Sequence, residues 1–416
     1  MFFDCEAMIK ATGRDAQQSG THGMRNVMAN LAPISELLKR ATEAGDVPGV
    51  AAGVATSDGV IFEAAHGKRD LAGTPMTKDA IFRIASMTKA VTGACAMQMV
   101  EQGKLDLDSP IAKVLPELSE PKVLEGYDGA GQPKFRAAKR PITLRHLLTH
   151  TSGHVYEIWN PRLAEYRDKS GTPSNGSGKL ASLNSPLMFD PGDRWEYSIG
   201  IDWAGRAVEE VSGLKLADYM TRNLLGPLGM LDTGFRINDH QKQRLVQLYM
   251  RGNGGLEPYE RNPPPNAEFD AGGGGLYSTI PDYLKFTQMI LNKGKLNGVQ
   301  VLKPDTVALM SQNAMGDVNV VPLPASPKLP TGGGMSNEVN FIDGKKWGLT
   351  FMVNPKPMPS GRSPGSMAWA GLMNSYYWID PVRKISGVYA TQILPFCDVK
   401  SLKLFEDFET AVYKAL

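Results

Sequence analysis

"RIASMTKAVTGACAMQM", residues 83–99, carries a serine three positions ahead of a lysine at the mouth of an apolar run. If a helix begins near Ser86, residues three apart lie on one face, so the Ser86 hydroxyl and the Lys89 ammonium can meet. A first-turn serine also has free backbone N–H groups and the positive end of the helix dipole beside it, which favour charge developing on a bound acyl oxygen. Lys89 can act as a base, or assist one, only with a lowered pKa, and burial under the surrounding apolar residues lowers it. Ser-x-x-Lys also arises by chance, and serine is a common helix cap. Its meaning therefore rests on what the rest of the chain supplies.

Two other stretches supply it. "FDPGDRWEYSIGIDWAGRAVEEVSG", residues 189–213, places Tyr197 between a Pro-Gly turn and a helix. A phenol there can serve as a half-buried group bonded to backbone; beside a lysine it is favoured as phenolate and can take a proton from serine. "SMAWAGLMNSYYWID", residues 366–380, sets Trp369-Ala370-Gly371 just before a strand. A small residue followed by glycine lets a substrate carbonyl approach main-chain N–H donors. Lys346-Trp347-Gly348 is a rival, but "WGLTFMV", residues 347–353, reads as the apolar strand itself. Tyr156, Trp159 and the Met-containing loop 315–335 either line the acyl or alcohol pocket or fill space.

Taken in order, Ser86-Met87-Thr88-Lys89, Tyr197-Ser198-Ile199 and Trp369-Ala370-Gly371 resemble the three active-site motifs of the serine β-lactamase and penicillin-binding protein superfamily. The nearest likeness is to the family VIII carboxylesterases, which are similar to class C β-lactamases. "LRHLLTHTSG" (144–153), "FDPGDRWEYS" (189–198) and "GGGGLYSTIPDYLKF" (272–286) resemble further family segments, so the likeness runs from about Met24 to the C-terminus. It implies an α/β (α+β) fold, an antiparallel sheet flanked by helices plus a mainly helical region, with the site between them. It implies that Ser86 attacks an acyl carbon, that Lys89 and Tyr197 move protons, and that the N–H groups of Ser86 and Leu372 form an oxyanion hole.

Two departures from the lactamase pattern bear on substrate. Ile199 stands where the lactamases carry an asparagine, and Trp369-Ala370-Gly371 replaces a cationic Lys-Thr-Gly, removing polar groups that hold a β-lactam. Ile199, Trp369, Ala370 and Gly371 are accordingly expected to line a site for neutral esters. "VLEGYDGAGQPKFRAAKRPITLRHLLTHTSG", residues 123–153, also resembles the fungal statin acyltransferases. The expectation is a serine carboxylesterase; a β-lactamase or acyltransferase using the same nucleophile, and a catalytically silent ligand binder, are the alternatives.

Composition agrees with a small-molecule enzyme. The chain has 416 residues, 42% hydrophobic and 21% charged, with a formal net charge of +2, enough for a large core and without the charge runs of a nucleic-acid or membrane-surface partner. Cys5, Cys95 and Cys397 show no CxxC spacing, which points to reduced thiols in the cytoplasm. No secretory core or span of eighteen apolar residues is apparent. His150 and His154 lack a metal-site pattern, no Gly-x-Ser-x-Gly elbow is present at a strand-to-helix turn, and Gly272–Gly275 reads as a tight turn under the site. No cofactor or metal is expected, the partner is a small ester, and the oligomeric state is left open.

The apolar spacing predicts an N-terminal helix over 32–44, a hairpin about Ser57-Asp58-Gly59, a second hairpin about Asp380-Pro381 and a helix from Asp398. Residues 1–23 form an expected N-terminal extension, with Met24 a plausible second start. The remainder, 24–416, is expected to divide into an α/β part (about 24–85 and 340–416) and a mainly helical part (about 86–339).

Overall fold

The computed structural model describes residues 31–327 and 334–416; the expected extension, Met24 and Cys5 lie outside the described residues. Helix α1 (31–43) forms where Ile34 and Leu38 recur at helical spacing, both covered by the core, and Gly45 in the left-handed region follows its end. Seven antiparallel strands then build one sheet: β1 (Gly49–Thr56), β2 (Val60–Gly67), β3 (Lys346–Trp347), β4 (Met352–Val353), β5 (Met367–Gly371), β6 (Ser375–Asp380) and β7 (Ile385–Ala390). Their order is β3-β4-β5-β6-β7-β1-β2. The two ends of the chain therefore meet in the middle of the sheet, where β1 pairs with β7 from Ala51↔Ala390 to Thr56↔Ile385.

Strand alternation sorts the layers. On β6, Tyr376 and Trp378 face helix α5 (Val399–Ala415), stacking on Phe405 at 4.5 Å and meeting Phe408 edge-on at 5.6 Å. Tyr377, one residue out of phase, faces the other way and packs on Tyr283 of helix α4 (Ile280–Leu291) at 5.3 Å. Helix α4 is thus a sheet-covering helix, although it comes from the middle of the chain. Gly387 is required opposite Trp378, because a Cβ there would collide with the indole ring.

Helix α2 (Thr88–Glu101) is buried on every side over residues 88–99, as expected of a helix at the centre of a large domain. It lies between the sheet region and helix α3 (Gly200–Ser212).

One local reading differs from the expectation. "WGLTFMV" is not one strand: it breaks between β3 and β4 at a turn closed by Gly348 N–H to the Phe351 carbonyl, 2.8 Å, with Thr350 at positive φ packed against Gly93 of α2. Lys122–Tyr127 and Pro133–Ala137 form a β-hairpin, whose turn is held by the Asp128 carboxylate accepting the Ala130 and Gln132 N–H groups at 2.8 Å. Val399 is 75% exposed because it sits in the first turn of α5, beyond the edge of the core.

Candidate active site

The nucleophile candidate is set by a strained turn. Phe82–Arg83 pairs with Tyr277–Ser278, then Ala85 adopts φ +43°, a region a residue with a Cβ seldom enters and that is held only when its surroundings enforce it. Ser86 follows in a single 3₁₀ turn, Ala85–Met87, and the α-helix proper begins at Thr88. Ser86 is thus on the approach to α2 rather than in its first α-helical turn. Its hydroxyl still meets Lys89, whose Nζ lies 3.2 Å from Oγ.

Lys89 is 1% exposed. Its Nζ donates to the Gly273 carbonyl at 2.6 Å and to the Tyr156 hydroxyl at 3.0 Å, and lies over the rings of Tyr197 and Tyr156, 4.7 and 5.1 Å from their centroids. Desolvation pulls its pKa down to about 7, partly opposed by the charge of Asp202. The Tyr197 phenol accepts from the Trp369 indole N–H at 2.8 Å, and that donor and the nearby Ser86 hydroxyl favour its ionised form. Burial nevertheless pushes its pKa up. The expectation that lysine would hold Tyr197 as phenolate is therefore reversed: in so dry a site the lysine loses its charge more readily than the phenol gains one.

The glycine run lies under this centre. The Gly272 carbonyl accepts from Thr92 Oγ1 at 2.7 Å and the Leu276 N–H donates to Thr88 Oγ1 at 3.0 Å, so the loop is stapled along α2. Gly273 N–H donates to the Asp202 carboxylate at 2.8 Å, and a Cβ on Gly273 would come within 2.5 Å of that carboxylate. Asp202 stands in the first turn of α3, five residues after Tyr197.

The loop bearing Tyr197 is anchored at a distance from it. Asp190 is 1% exposed and takes a bidentate ion pair from Arg136, 2.8 Å at both oxygens, plus the Lys139 N–H at 2.8 Å. The Arg136 bonds hold its pKa down at about 2. Nearer the phenol, the Ser198 N–H donates to His150 Nδ1 at 3.2 Å, and the rings of His150 and Tyr197 sit 4.6 Å apart. His154 bonds Ser152 and burial lowers its pKa to about 4. His150 braces the loop, and no group of metal-ligating side chains occurs among the described residues.

The third motif approaches from the sheet. Gly371 at the end of β5 packs on the Ile84 carbonyl, where a Cβ would collide, and Leu372 opens the turn into β6 beside the Ser86 segment. Ala85, Leu248, Met250, Met373 and Leu394, with the half-buried Leu372, Met335 and Tyr259, form an apolar cluster separate from the main core on this side. The structure thus brings Ser86, Lys89, Tyr156, Tyr197 and Trp369 together, with Trp159 5.9 Å from Tyr156. Ile199 is fully buried beneath them, and Trp369 and Ala370 are at most 3% exposed. Sequence reasoning passed over Asp202 and the contact of Tyr156 with Lys89. The signal for Asp202 was a lone carboxylate in the apolar first turn of α3.

Residues 34–401 match the family model described as Beta-lactamase. The chain is 33% identical over 351 residues to a monacolin J acid methylbutanoyltransferase of Aspergillus terreus, covering 82% of this chain and 83% of that one. It is 30% identical to a lovastatin esterase of Penicillium rubens, covering 85% and 91%. Among solved structures it resembles a mutant simvastatin synthase of Aspergillus terreus, with a TM-score of 0.79 and 30% identity over 92% of this chain and 97% of that one.

Proposed function

Within the β-lactamase family, to which this chain belongs, we propose that the protein is a cofactor-free serine esterase that takes the acyl group of a small or medium neutral ester onto Ser86. The observation that carries this reading is the Ser86 hydroxyl 3.2 Å from Lys89 Nζ, which itself lies over the Tyr197 ring. A neutral amine has two N–H donors and one lone pair. With the donors on Gly273 and Tyr156, the lone pair is left for the serine proton.

In that arrangement Ser86 attacks the acyl carbon as Lys89 takes its proton, and the network returns the proton to the departing alkoxide, which leaves as alcohol. Water then attacks the Ser86 ester; its proton passes to the amine and on to Ser86 Oγ, releasing the acid. The N–H groups of Ser86 and Leu372 are the donors proposed for the oxyanion. An uncharged ester suits this site because Ile199 and Trp369 are occupied in packing and in holding Tyr197, leaving neither as a partner for a lactam carboxylate. The apolar cluster around Leu372 and Met335 is proposed as the shelf for acyl or alcohol carbon, and the cytoplasm as the compartment, where Cys95 and Cys397 stay free thiols.

Acyl transfer is a second reading, favoured by the likeness to the methylbutanoyltransferase of Aspergillus terreus. It differs only in that an alcohol replaces water in the second half-reaction. The deciding experiment is p-nitrophenyl butyrate hydrolysis by the wild type and Ser86→Ala, with intact-protein mass spectrometry for the butyryl adduct and added alcohols as competing acceptors. Activity and adduct lost together in Ser86→Ala support the esterase reading; ester product formed in preference to butyrate favours the transferase. Activity retained in Ser86→Ala overturns both, and a Ser86 adduct that never turns over identifies a ligand binder.

A further inference from the structure

Asp202 is a buried carboxylate that the acyl-transfer scheme does not use. It sits on α3, accepts the Gly273 N–H at 2.8 Å, and lies so close that a Cβ at residue 273 would push the carboxylate aside. The carbonyl of that same Gly273 receives Lys89 Nζ at 2.6 Å. One glycine therefore holds the lysine on one side and the carboxylate on the other. Burial raises the Asp202 pKa, and among the described residues Lys89 is the cation whose charge opposes that rise, aided by the Gly273 N–H.

Accepting one N–H requires only a neutral amide oxygen, and a buried ionised carboxylate costs several times more than a buried amide. Asparagine would meet the structural need, so a carboxylate here calls for a reason, and the charge of Lys89, which favours its ionised form, supplies one. We propose that Asp202 is a positioning residue, the buried counter-charge that holds Lys89 on the Gly273 carbonyl and governs how readily the lysine releases its proton. This inference rests on the Ser86 acyl-enzyme reading above.

The other titratable groups facing Lys89 do not supply such a charge. Tyr156 and Tyr197 are buried phenols held protonated. His150 accepts the Ser198 N–H and is kept neutral by burial and by Lys89 itself. Direct contact between Asp202 and Lys89 would fix the ammonium; separation by a glycine lets the carboxylate bias the lysine while leaving its lone pair obtainable at neutral pH.

The test is the pH profile of kcat/KM for p-nitrophenyl butyrate in the wild type, Asp202→Asn and Asp202→Glu. A negative charge favours the ammonium, so removing it lets Lys89 become neutral at lower pH. In Asp202→Asn the acid limb should move down by about one pH unit, the low end of what a nearby opposite charge produces, with KM unchanged and Asp202→Glu returning it towards the wild type. A folded Asp202→Asn enzyme with an unmoved acid limb overturns the proposal. If Asn does not fold, Asp202→Ala is measured with formate and with formamide: a limb moved up by formate alone supports the counter-charge, and equal responses overturn it. The premise is read separately, because hydrolysis persisting in Ser86→Ala refutes the acyl-enzyme itself, whatever Asp202 does.

Discussion

Asp190, which anchors the loop carrying Tyr197, and Lys89, which faces that tyrosine, are both about 1% exposed, yet their charges are treated in opposite ways. Asp190 has Arg136 in direct bidentate contact and its pKa falls to about 2, so it stays ionised across the working range. Lys89 touches a carbonyl and two hydroxyls but no carboxylate, and its pKa falls to about 7. In the anchor the charge is locked and does mechanical work. At the centre it is left unlocked, so a proton can come and go.

The comparison breaks most completely at Ser86. Ser86→Ala should lower p-nitrophenyl ester hydrolysis by about a thousandfold or more, with an unchanged thermal transition. Lys89→Met and Tyr197→Phe should each cost about a hundredfold to ten-thousandfold in kcat, the usual share of a proton-transfer group; near-normal rates in either would sink the network. The same lysine predicts the pH dependence. Below about 7 it is an ammonium and cannot accept the serine proton, so kcat/KM should rise as pH passes through 7, and an activity flat from pH 5 to 8 would contradict the unlocked state.

Smaller effects sharpen the contrast. Trp369→Phe removes the N–H on Tyr197 while keeping an aromatic ring, and should reduce kcat about fivefold to tenfold, the value of one hydrogen bond. Arg136→Ala strands Asp190 and should lower the urea midpoint, by less than breaking a fully buried pair because Arg136 is 34% exposed, with only a few-fold loss of kcat. For Asp190 the depressed pKa means stability present above its ordinary value of 3.8 and lost as pH falls towards about 2. Arg136→Ala should abolish that acid-side loss without moving the activity limb at 7.

Much of this was legible in the residues. The hairpins at Ser57-Asp58-Gly59 and Asp380-Pro381 and the helices at both termini follow from local periodicity and turn chemistry, and they formed where the pattern placed them. "WGLTFMV" failed because apolar character alone does not distinguish a strand from two short strands joined by a buried turn. What broke it was Thr350 packing on Gly93, a contact between residues more than two hundred and fifty positions apart.

The same division holds at the site. The sequence by itself determined the pairing of Ser86 with Lys89, since three-residue spacing on a helical segment is local geometry, and it marked Tyr197 and Trp369 as the other ordered motifs. Only the tertiary structure decided that Trp369 holds Tyr197, that Tyr156 and Gly273 hold Lys89, and that Asp202 stands behind Gly273. It also decided the protonation order, because a pKa depends on how much water the fold removes and which charges remain nearby, and neither quantity is written in local spacing.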